Sequence, residues 1–479
     1  MDYSLLLQGE PEQGAMSRQQ RLYTALRAAI LQGTLAADTR LPASRLLAQE
    51  LGIARNSVIY AYEQLIAEGF LHADRRGTRV ATLKMASAIG ASAQPPQGLS
   101  RRGRAFATPF ADVDTVQAFT PGVPSLADFP IARWQRCVAQ SWQKVTPEKL
   151  AYGHSAGEPQ LREAIAAHLR AGRGVVCDAS QVFITDGTQN SLDLCAKLFA
   201  DVGDIAWIEN PGYGGAANAF ATAQLQIKGI PVDLDGLAPQ ESDWQQHPPK
   251  LIYTTPSHQY PLGSVLSLAR RLQLLANAKA VGALIIEDDY DSEFRRSGPP
   301  LPAIQGLAAD APVIYLGTFS KSLFPALRTG FIVVPRALAD SVATMLAQCH
   351  PRGRQVEQIA LAQFLHSGEF ASHLRKMRRL YAARRDAMQD ALHTHLGDIA
   401  TLYGGASGMH LSIGIPSDFC DQRISDTALA QGLVARPLSA YVIGTPTPHS
   451  NGFILGYAQV PCEAMDAKIA QLARLIRMA

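Results

Sequence analysis

Two regimes of hydrophobic spacing divide the chain. Up to about residue 80 the apolar positions recur at helical intervals. Leu22, Leu26 and Ile30 follow Ser17, a residue suited to an N-cap, and Gly33 closes the run. Pro42 and Ala43 open a second helix, Ser44 to Leu51, stopped by Gly52. Arg55 to Glu68 predicts a third, with Val58, Ala61 or Tyr62, and Leu65 facing inward and Gly69 as the stop. Phe70-Leu71, Asp74-Arg75-Arg76-Gly77-Thr78 and Val80 then predict a small hairpin. A short helix, a brief turn and a longer helix make a helix-turn-helix, and the hairpin is its wing. From Phe119 the pattern changes to short apolar runs that end in glycine, proline or polar residues. Val182 to Thr185, Ala206 to Glu209, Leu251 to Tyr253, Val313 to Leu316 and Phe331 to Val334 are such runs. They predict buried strands of an α/β sheet, with Leu161 to Leu169 an amphipathic helix among them. Between the regimes, Met85 to Gly98 is rich in Ala, Ser, Gln, Pro and Gly, the composition of a linker. The expected division is residues 1–80 for the head, 81–117 for the linker and 118–479 for the α/β part.

Composition narrows the classes. The net charge of +3 over 479 residues is small, so a nucleic-acid site has to be local. Such a locality exists: residues 17–80 carry nine arginines against five acids. Arg55, Asn56 and Ser57 fall on the first turn of the third helix, where a recognition helix presents side chains and its dipole to DNA. Arg45 begins the second helix, suited to a backbone phosphate, and Arg76 and Thr78 lie on the wing. An ordinary three-helix domain with surface arginines is the bland alternative. Arg101, Arg102 and Arg104 form a basic knot in the linker, read first as a solvated patch. Six scattered cysteines without a C-x-x-C pair argue against a zinc site or a disulfide scaffold and fit a reducing cytoplasm. No metal site is expected. The longest apolar runs are strand-sized, which excludes a membrane span, and Met1 to Gln13 lacks a basic n-region.

The candidate chemistry gathers at strand ends. Lys321 sits between two apolar runs, with Thr318, Ser320 and Arg328 beside it. A lysine in that setting is solvated, paired or chemically used. Hydroxyls and an arginine next to it are what a phosphate needs. Together they suggest pyridoxal 5'-phosphate (PLP) held as a Schiff base on Lys321. Upstream, Ala283 to Phe294 runs from an apolar strand into acids. Ligands of open α/β sheets bind beyond the carboxyl ends of the strands. Asp288 is placed to keep a pyridinium nitrogen protonated, and Tyr290 to reach the ring hydroxyl. Glu287, Asp289, Asp291 and Glu293 are read as mostly a solvated acidic loop. Asp186-Gly187-Thr188-Gln189 opens a helix whose N-terminus makes an anion site. Tyr213, after another strand, stacks on a ring or packs on the core.

The stretch LPASRLLAQELGIARNSVIYAYEQLIAEGFLHADRRGTRV resembles the winged helix-turn-helix of GntR-type bacterial regulators. In that family the positions matching Arg45, Arg55, Asn56, Ser57 and Gly77 lie at or beside the DNA. The wing departs from the commoner Gly-Ser-Gly-Thr, with Arg75 and Arg76 before its single Gly77. From Phe119 onward, TDGTQNSLDL, ENPGYGG, TPSHQYPLG, IIEDDYDSEF and YLGTFSKSLFPALRTG resemble a fold-type I PLP-dependent aminotransferase in order and spacing. A GntR head on such a domain is the architecture of the MocR-type regulators. The resemblance implies an α/β fold, a mainly parallel sheet with flanking helices and a smaller C-terminal α+β subdomain. It implies Lys321 as the Schiff-base lysine, Asp288 on the pyridine nitrogen and Tyr213 as the stacking ring. Thr188, Gln189, Ser320 and Arg328 would hold the phosphate, and Tyr152 would reach the phosphate of the other subunit of a homodimer.

Two departures separate the chain from a working aminotransferase. Tyr260 stands before Pro261-Leu262-Gly263, where ordinary members carry the Asn that bonds the ring hydroxyl. The C-terminal strand, Gly452 to Tyr457, lacks the arginine that clamps a substrate carboxylate; Arg436 is the possible substitute, though a surface role suits it better. Gly215 replaces the arginine that the GABA-responsive member uses two residues beyond the stacking tyrosine, which argues against GABA. The expectation is a cytoplasmic, homodimeric regulator of amine, amino-acid or vitamin B6 metabolism that binds a double-stranded DNA operator. It senses PLP or an amine effector through an aldimine at Lys321, with at most weak transaminase activity. The alternative is an active aminotransferase with an accessory DNA-binding head.

Overall fold

Ser17 caps the first helix as its residue type predicts. Its hydroxyl accepts from the Gln20 backbone N–H, the Gln20 side chain returns to the Ser17 N–H, and the helix runs Arg18–Leu31. In this computed structural model the described residues are 3, 16–82, 98, 100, 102–103, 117–295, 301–350, 353–405 and 407–479. The chain folds as two compact units, Met1–Thr108 and Pro109–Ala479. Most of the linker stretch 81–117, with Arg101 and Arg104, lies outside the described residues.

In the first unit, helices Ser44–Leu51 and Arg55–Ala67 follow, separated by Gly52 in the left-handed region at φ 60°. Leu22, Leu26, Leu47, Val58, Ala61 and Leu65 bury the shared face, and Tyr62 joins them. β1 (Leu71–Asp74) and β2 (Gly77–Val80) pair antiparallel, with Leu71 opposite Val80. Both strands contribute an end residue to the same core, which ties the hairpin to the helices.

The second unit is built on an eight-stranded sheet. Its strands are β3 (Val182–Thr185), β4 (Ile205–Asn210), β5 (Gln226–Asp233), β6 (Gly236–Leu237), β7 (Leu251–Thr254), β8 (Leu284–Asp289), β9 (Val313–Thr318) and β10 (Gly330–Val333). They lie in the order β3-β10-β9-β8-β7-β4-β5-β6. β9, β8, β7, β4 and β5 pair in parallel, and β10 is antiparallel to both β3 and β9. Helices cover both faces, so β7, β9 and β10 are buried at every position. Ile285, Ile286, Ile314 and Leu316 are fully buried, and each such side chain contributes about 1.5–3 kcal/mol. A smaller antiparallel sheet follows, β11 (Thr401–Tyr403), β12 (His410–Gly414), β13 (Arg436–Pro437) and β14 (Gly452–Gly456), ordered β11-β12-β14-β13. The helices Glu369–Leu396 and Cys462–Arg477 pack beside it. Among the described residues no helix is long and apolar enough to cross a membrane. The parallel strands bring their carboxyl ends to one edge, and the loops after β4, β7, β8 and β9 open there.

The acidic segment is not a solvated loop. Glu287 is fully buried and accepts from the backbone N–H groups of Ile304 (2.9 Å) and Gln305 (3.0 Å). Asp289 accepts from Arg173 Nε at 2.6 Å and from the Tyr315 hydroxyl at 2.5 Å. Asp291 is 1% exposed and lies against His258. Glu293 is half-buried, and burial pushes its carboxyl up to about 7. The strand β8 is covered on both faces, so acids on it have no solvent to reach. Arg173 also donates to the Ser257 hydroxyl at 2.6 Å. Arg173→Met is therefore expected to cost about 3–5 kcal/mol, because it strands the Asp289 charge. Urea unfolding reads this, and Asp289→Asn in the same chain should restore much of it.

Candidate functional site

The strand-end loops enclose a cavity of about 260 Å³. Asp288 and Tyr290 come from the end of β8 and the turn after it, Ser320 and Lys321 from the loop after β9, and Tyr213 from the loop after β4. Thr188, Gln189, Thr318 and Arg328 also line it.

Lys321 is enclosed on one side by Gly122, at φ 71°, where an added Cβ would fall 2.9 Å from Nζ. Burial pulls the Lys321 amine below its ordinary value; the charges of Asp291 and then Asp288 oppose that pull. Asp288 Oδ2 accepts from the Tyr253 hydroxyl at 2.8 Å. Its Oδ1 is buried with no hydrogen-bond partner. Burial pushes the carboxyl up to about 7, and the Tyr253 hydrogen bond opposes the rise.

An anion cradle lies beside these two groups. Arg328 adopts the left-handed region at φ 46°, uncommon for a residue with a side chain. Gly187, at φ 92°, precedes the helix Thr188–Phe199, and an added Cβ there would fall 3.6 Å from the Arg328 guanidinium. The helix start at Thr188, Arg328, Thr318 and Ser320 border the same cavity, and the Thr318 hydroxyl accepts from the Ser320 N–H at 3.2 Å. Gln189 is partly committed, because its amide donates to the Gly215 carbonyl at 3.1 Å.

Tyr213 sits between rings, 6.4 Å from Tyr253 and 5.8 Å edge-to-face from Tyr260. Burial pushes its phenol up to about 12. An added Cβ at Gly215 would fall 2.5 Å from the Tyr213 ring, so glycine leaves that ring its place. The Tyr290 hydroxyl donates to the His258 carbonyl at 2.9 Å and lies 3.1 Å from His258 Nδ1. Tyr260 lines the cavity, and its hydroxyl donates to that of Tyr441 at 3.2 Å. Arg436 is half-buried and faces Ile454 across β13 and β14; burial pushes the phenols of Tyr260 and Tyr441 up, and the Arg436 charge opposes that rise. Tyr152 is 95% exposed and outside the cavity.

In the first unit, Arg45, Arg55 and Asn56 are exposed and Ser57 is half-buried. Arg55 Nε donates to the Ser44 hydroxyl at 3.4 Å, so one side chain bridges the two helices. Arg76 is exposed on the hairpin turn, with Gly77 and Thr78 half-buried beside it. The arginine excess is partly neutralised within the fold, because Arg79 pairs with Asp38 at 3.3 Å and Arg27 with Glu68 at 3.4 Å.

Residues 18–80 match the family of bacterial regulatory proteins called gntR, and residues 130–459 match aminotransferase class I and II. The chain is 40% identical to the probable rhizopine catabolism regulatory protein MocR of Rhizobium meliloti, over 94% of this chain and 92% of that one. It belongs to the MocR-type GntR regulators. Two further relatives are the transcriptional regulator TauR of Rhodobacter capsulatus, 31% identical over 97% of each chain, and the pyridoxine biosynthesis regulator PdxR of Corynebacterium glutamicum, 30% identical over 96% of each. Among solved structures, a kynurenine aminotransferase of Pyrococcus horikoshii superposes with TM-score 0.71 at 26% identity, over 79% of this chain and 97% of that one.

This MocR-type regulator thus joins a DNA-binding helix-turn-helix to a fold-type I aminotransferase-like domain, whose cofactor is pyridoxal 5'-phosphate. Four residues of the cavity carry no motif signal of their own. Gly122 and Met409 come from distant loops, and His410 from β12 of the small sheet. Tyr253 lies on β7, inside an apolar run, and only the pairing of β7 with β8 brings its hydroxyl to Asp288. His258 and Asp291 form a buried pair next to His410, and one ligand-type atom from each of the three lies within 4.8 Å of the others.

Proposed function

We propose that this regulator carries pyridoxal 5'-phosphate on Lys321 and binds its operator as a cytoplasmic homodimer. An amine, or the cofactor itself, entering the cavity would change its operator affinity. The observation that carries this reading is the pairing, in one cavity, of a desolvated Lys321 amine with the unpartnered Asp288 Oδ1. A buried carboxylate oxygen without a donor is costly, and a protonated pyridine nitrogen is the donor it lacks. Arg328, the helix start at Gly187 and Thr188, Thr318 and Ser320 fit a phosphate, with Gln189 at its edge. Tyr213 would stack on the ring. Tyr290 and Tyr260 would border the ring hydroxyl. The exposed Tyr152 would serve the cavity of a partner subunit. Bound, the cofactor supplies an electrophilic aldehyde carbon and an electron-withdrawing ring.

On DNA, Arg55, Asn56 and Ser57 would enter the major groove, Arg45 would take a backbone phosphate, and Arg76, Gly77 and Thr78 would place the wing. Residues 1–80 would form the head, 81–117 the linker and 118–479 the effector part. The name of one relative concerns rhizopine catabolism and that of another pyridoxine biosynthesis. The effector class is accordingly kept at amines and PLP. Transaminase activity would be weak, because β14 carries no arginine to hold a substrate carboxylate. Operator occupancy would follow as a population shift between chain states.

The test is binding of the full chain to DNA upstream of its own gene, with and without PLP, at fixed salt. Selective binding that changes with PLP is the expected result. Arg55→Ala should weaken it by about 1–3 kcal/mol and relax sequence preference. No selective binding, together with rapid multiple turnover of amino acids, would replace this reading by the aminotransferase one.

A further inference from the structure

We propose that Asp291, held by His258, is the proton carrier beside Lys321. It takes a proton from an entering ammonium and delivers it to Lys321 Nζ as that side chain is displaced. This rests on the attachment at Lys321 proposed above.

Asp291 lines the same cavity as Lys321 and is 1% exposed. Its carboxylate oxygens lie 3.1 and 3.0 Å from His258 Nδ1. A carboxylate accepts only, so Nδ1 carries the hydrogen and donates it. The side-chain hydrogen bonds of Asp291 among the described residues are these two, both to one nitrogen, which leaves acceptor capacity on its oxygens; Oδ2 also lies close to Gly408, where an added Cβ would fall 2.5 Å from it. The other acids nearby are committed. Asp289 is engaged by Arg173, Tyr315 and Ser292. Asp288 is engaged by Tyr253 and, in the reading above, by the ring nitrogen. The Tyr290 hydroxyl also lies 3.1 Å from His258 Nδ1, the nitrogen that faces Asp291, and the His258 ring packs at 4.8 Å on that of His410, whose Nε2 lies 3.1 Å from the Pro261 carbonyl. Of the charges that favour a proton on Lys321, that of Asp291 is the strongest, ahead of Asp288.

The exchange needs such a group. An alkylamine arrives protonated at neutral pH, as a lysine side chain is. It has to lose that proton before its nitrogen can bond to the aldehyde carbon. Lys321 Nζ leaves as its own bond to that carbon breaks, and it ends as an ammonium. One carbon–nitrogen linkage is exchanged for another; counted between linkages that each carry one proton on nitrogen, the entering ammonium gives up two protons and Nζ gains two, and nothing is oxidised or reduced. Asp291 carries these protons in turn between the two nitrogens and afterwards faces the released Lys321 ammonium. The displaced side chain is then held by an opposite charge inside a buried wall.

The experiment uses the full-length protein loaded with PLP and two probes. Methylamine is protonated at neutral pH, whereas O-methylhydroxylamine is largely unprotonated and needs no base to attack. Displacement of Lys321 is followed by the change in cofactor absorbance. In Asp291→Asn the ratio of the methylamine rate to the O-methylhydroxylamine rate is expected to fall by about 100-fold. A general loosening of the cavity would move both rates and leave the ratio alone. Should D291N not take up the cofactor, His258→Asn is measured in the same way; it keeps the carboxylate but frees it, and a smaller fall in the same ratio is expected. An unchanged ratio overturns the proposal. Absence of any Lys321-dependent absorbance in the unsubstituted protein would instead sink the attachment itself, which separates the two failures.

Discussion

Lys321→Ala is expected to abolish covalent retention of the cofactor and the response to amines, while the chain still folds and binds operator DNA. Lys321 makes no hydrogen bond among the described residues, and burial already disfavours its charge. Removing it strands no hydrogen-bond partner; relief of the buried amine is opposed by loss of its charge beside Asp291 and Asp288, so the unfolding free energy without cofactor should change little. The checks are the visible absorbance after dialysis, operator binding with and without an amine, and urea unfolding. An amine response that survives in this variant would refute the covalent attachment. Loss of folding would show Lys321 to be a structural residue.

Asp288→Asn is expected to remove a pH dependence of stability from the cofactor-free chain and to weaken cofactor binding. The Asp288 carboxyl is pushed up to about 7 from an ordinary 3.8. Below pH 4 it is protonated in both folded and unfolded chains and contributes no difference. As pH rises from about 4 to about 7 the unfolded chain ionises while the buried group resists. Stability then falls, and it levels off above pH 7. The shift corresponds to roughly 4 kcal/mol at most. D288N should lack this slope, so the difference between the two proteins in urea unfolding across pH 4 to 8 isolates it from other titrating groups. A bound pyridinium reverses the sense, because it favours the ionised carboxylate; the native chain should gain most from PLP near neutral pH. Parallel curves for the two cofactor-free proteins would count against a strained Asp288.

Much of this was readable from local pattern. The helix Arg18–Leu31 is announced by Ser17 and Gln20, and the stop at Gly52 by its place after an apolar stripe. Strands announced as apolar runs became β3, β4, β7, β9 and β10. Lys321, Asp288, Tyr213 and Thr188 were marked by polar residues at the ends of such runs; parallel pairing brings the ends of β4, β8 and β9 to one edge, and the antiparallel β10 between β9 and β3 turns the end of β3 to the same edge. The acids on and after β8 misled, because alternation and charge say nothing of a partner far along the chain. Asp289 meets Arg173, Asp291 meets His258, and Glu287 meets the N–H groups of Ile304 and Gln305.

The sequence by itself determined the two-part architecture, the family and the residue types of the cofactor cavity, because periodicity and motif spacing are local properties of the chain. Only the tertiary structure decided which acids are buried, that the Tyr290 hydroxyl is held by His258, that Gln189 is tied to Gly215, and that Gly122 and His410 close the cavity. Those outcomes depend on strand order and on loops packed from distant positions, where a buried polar atom takes whichever partner the fold delivers.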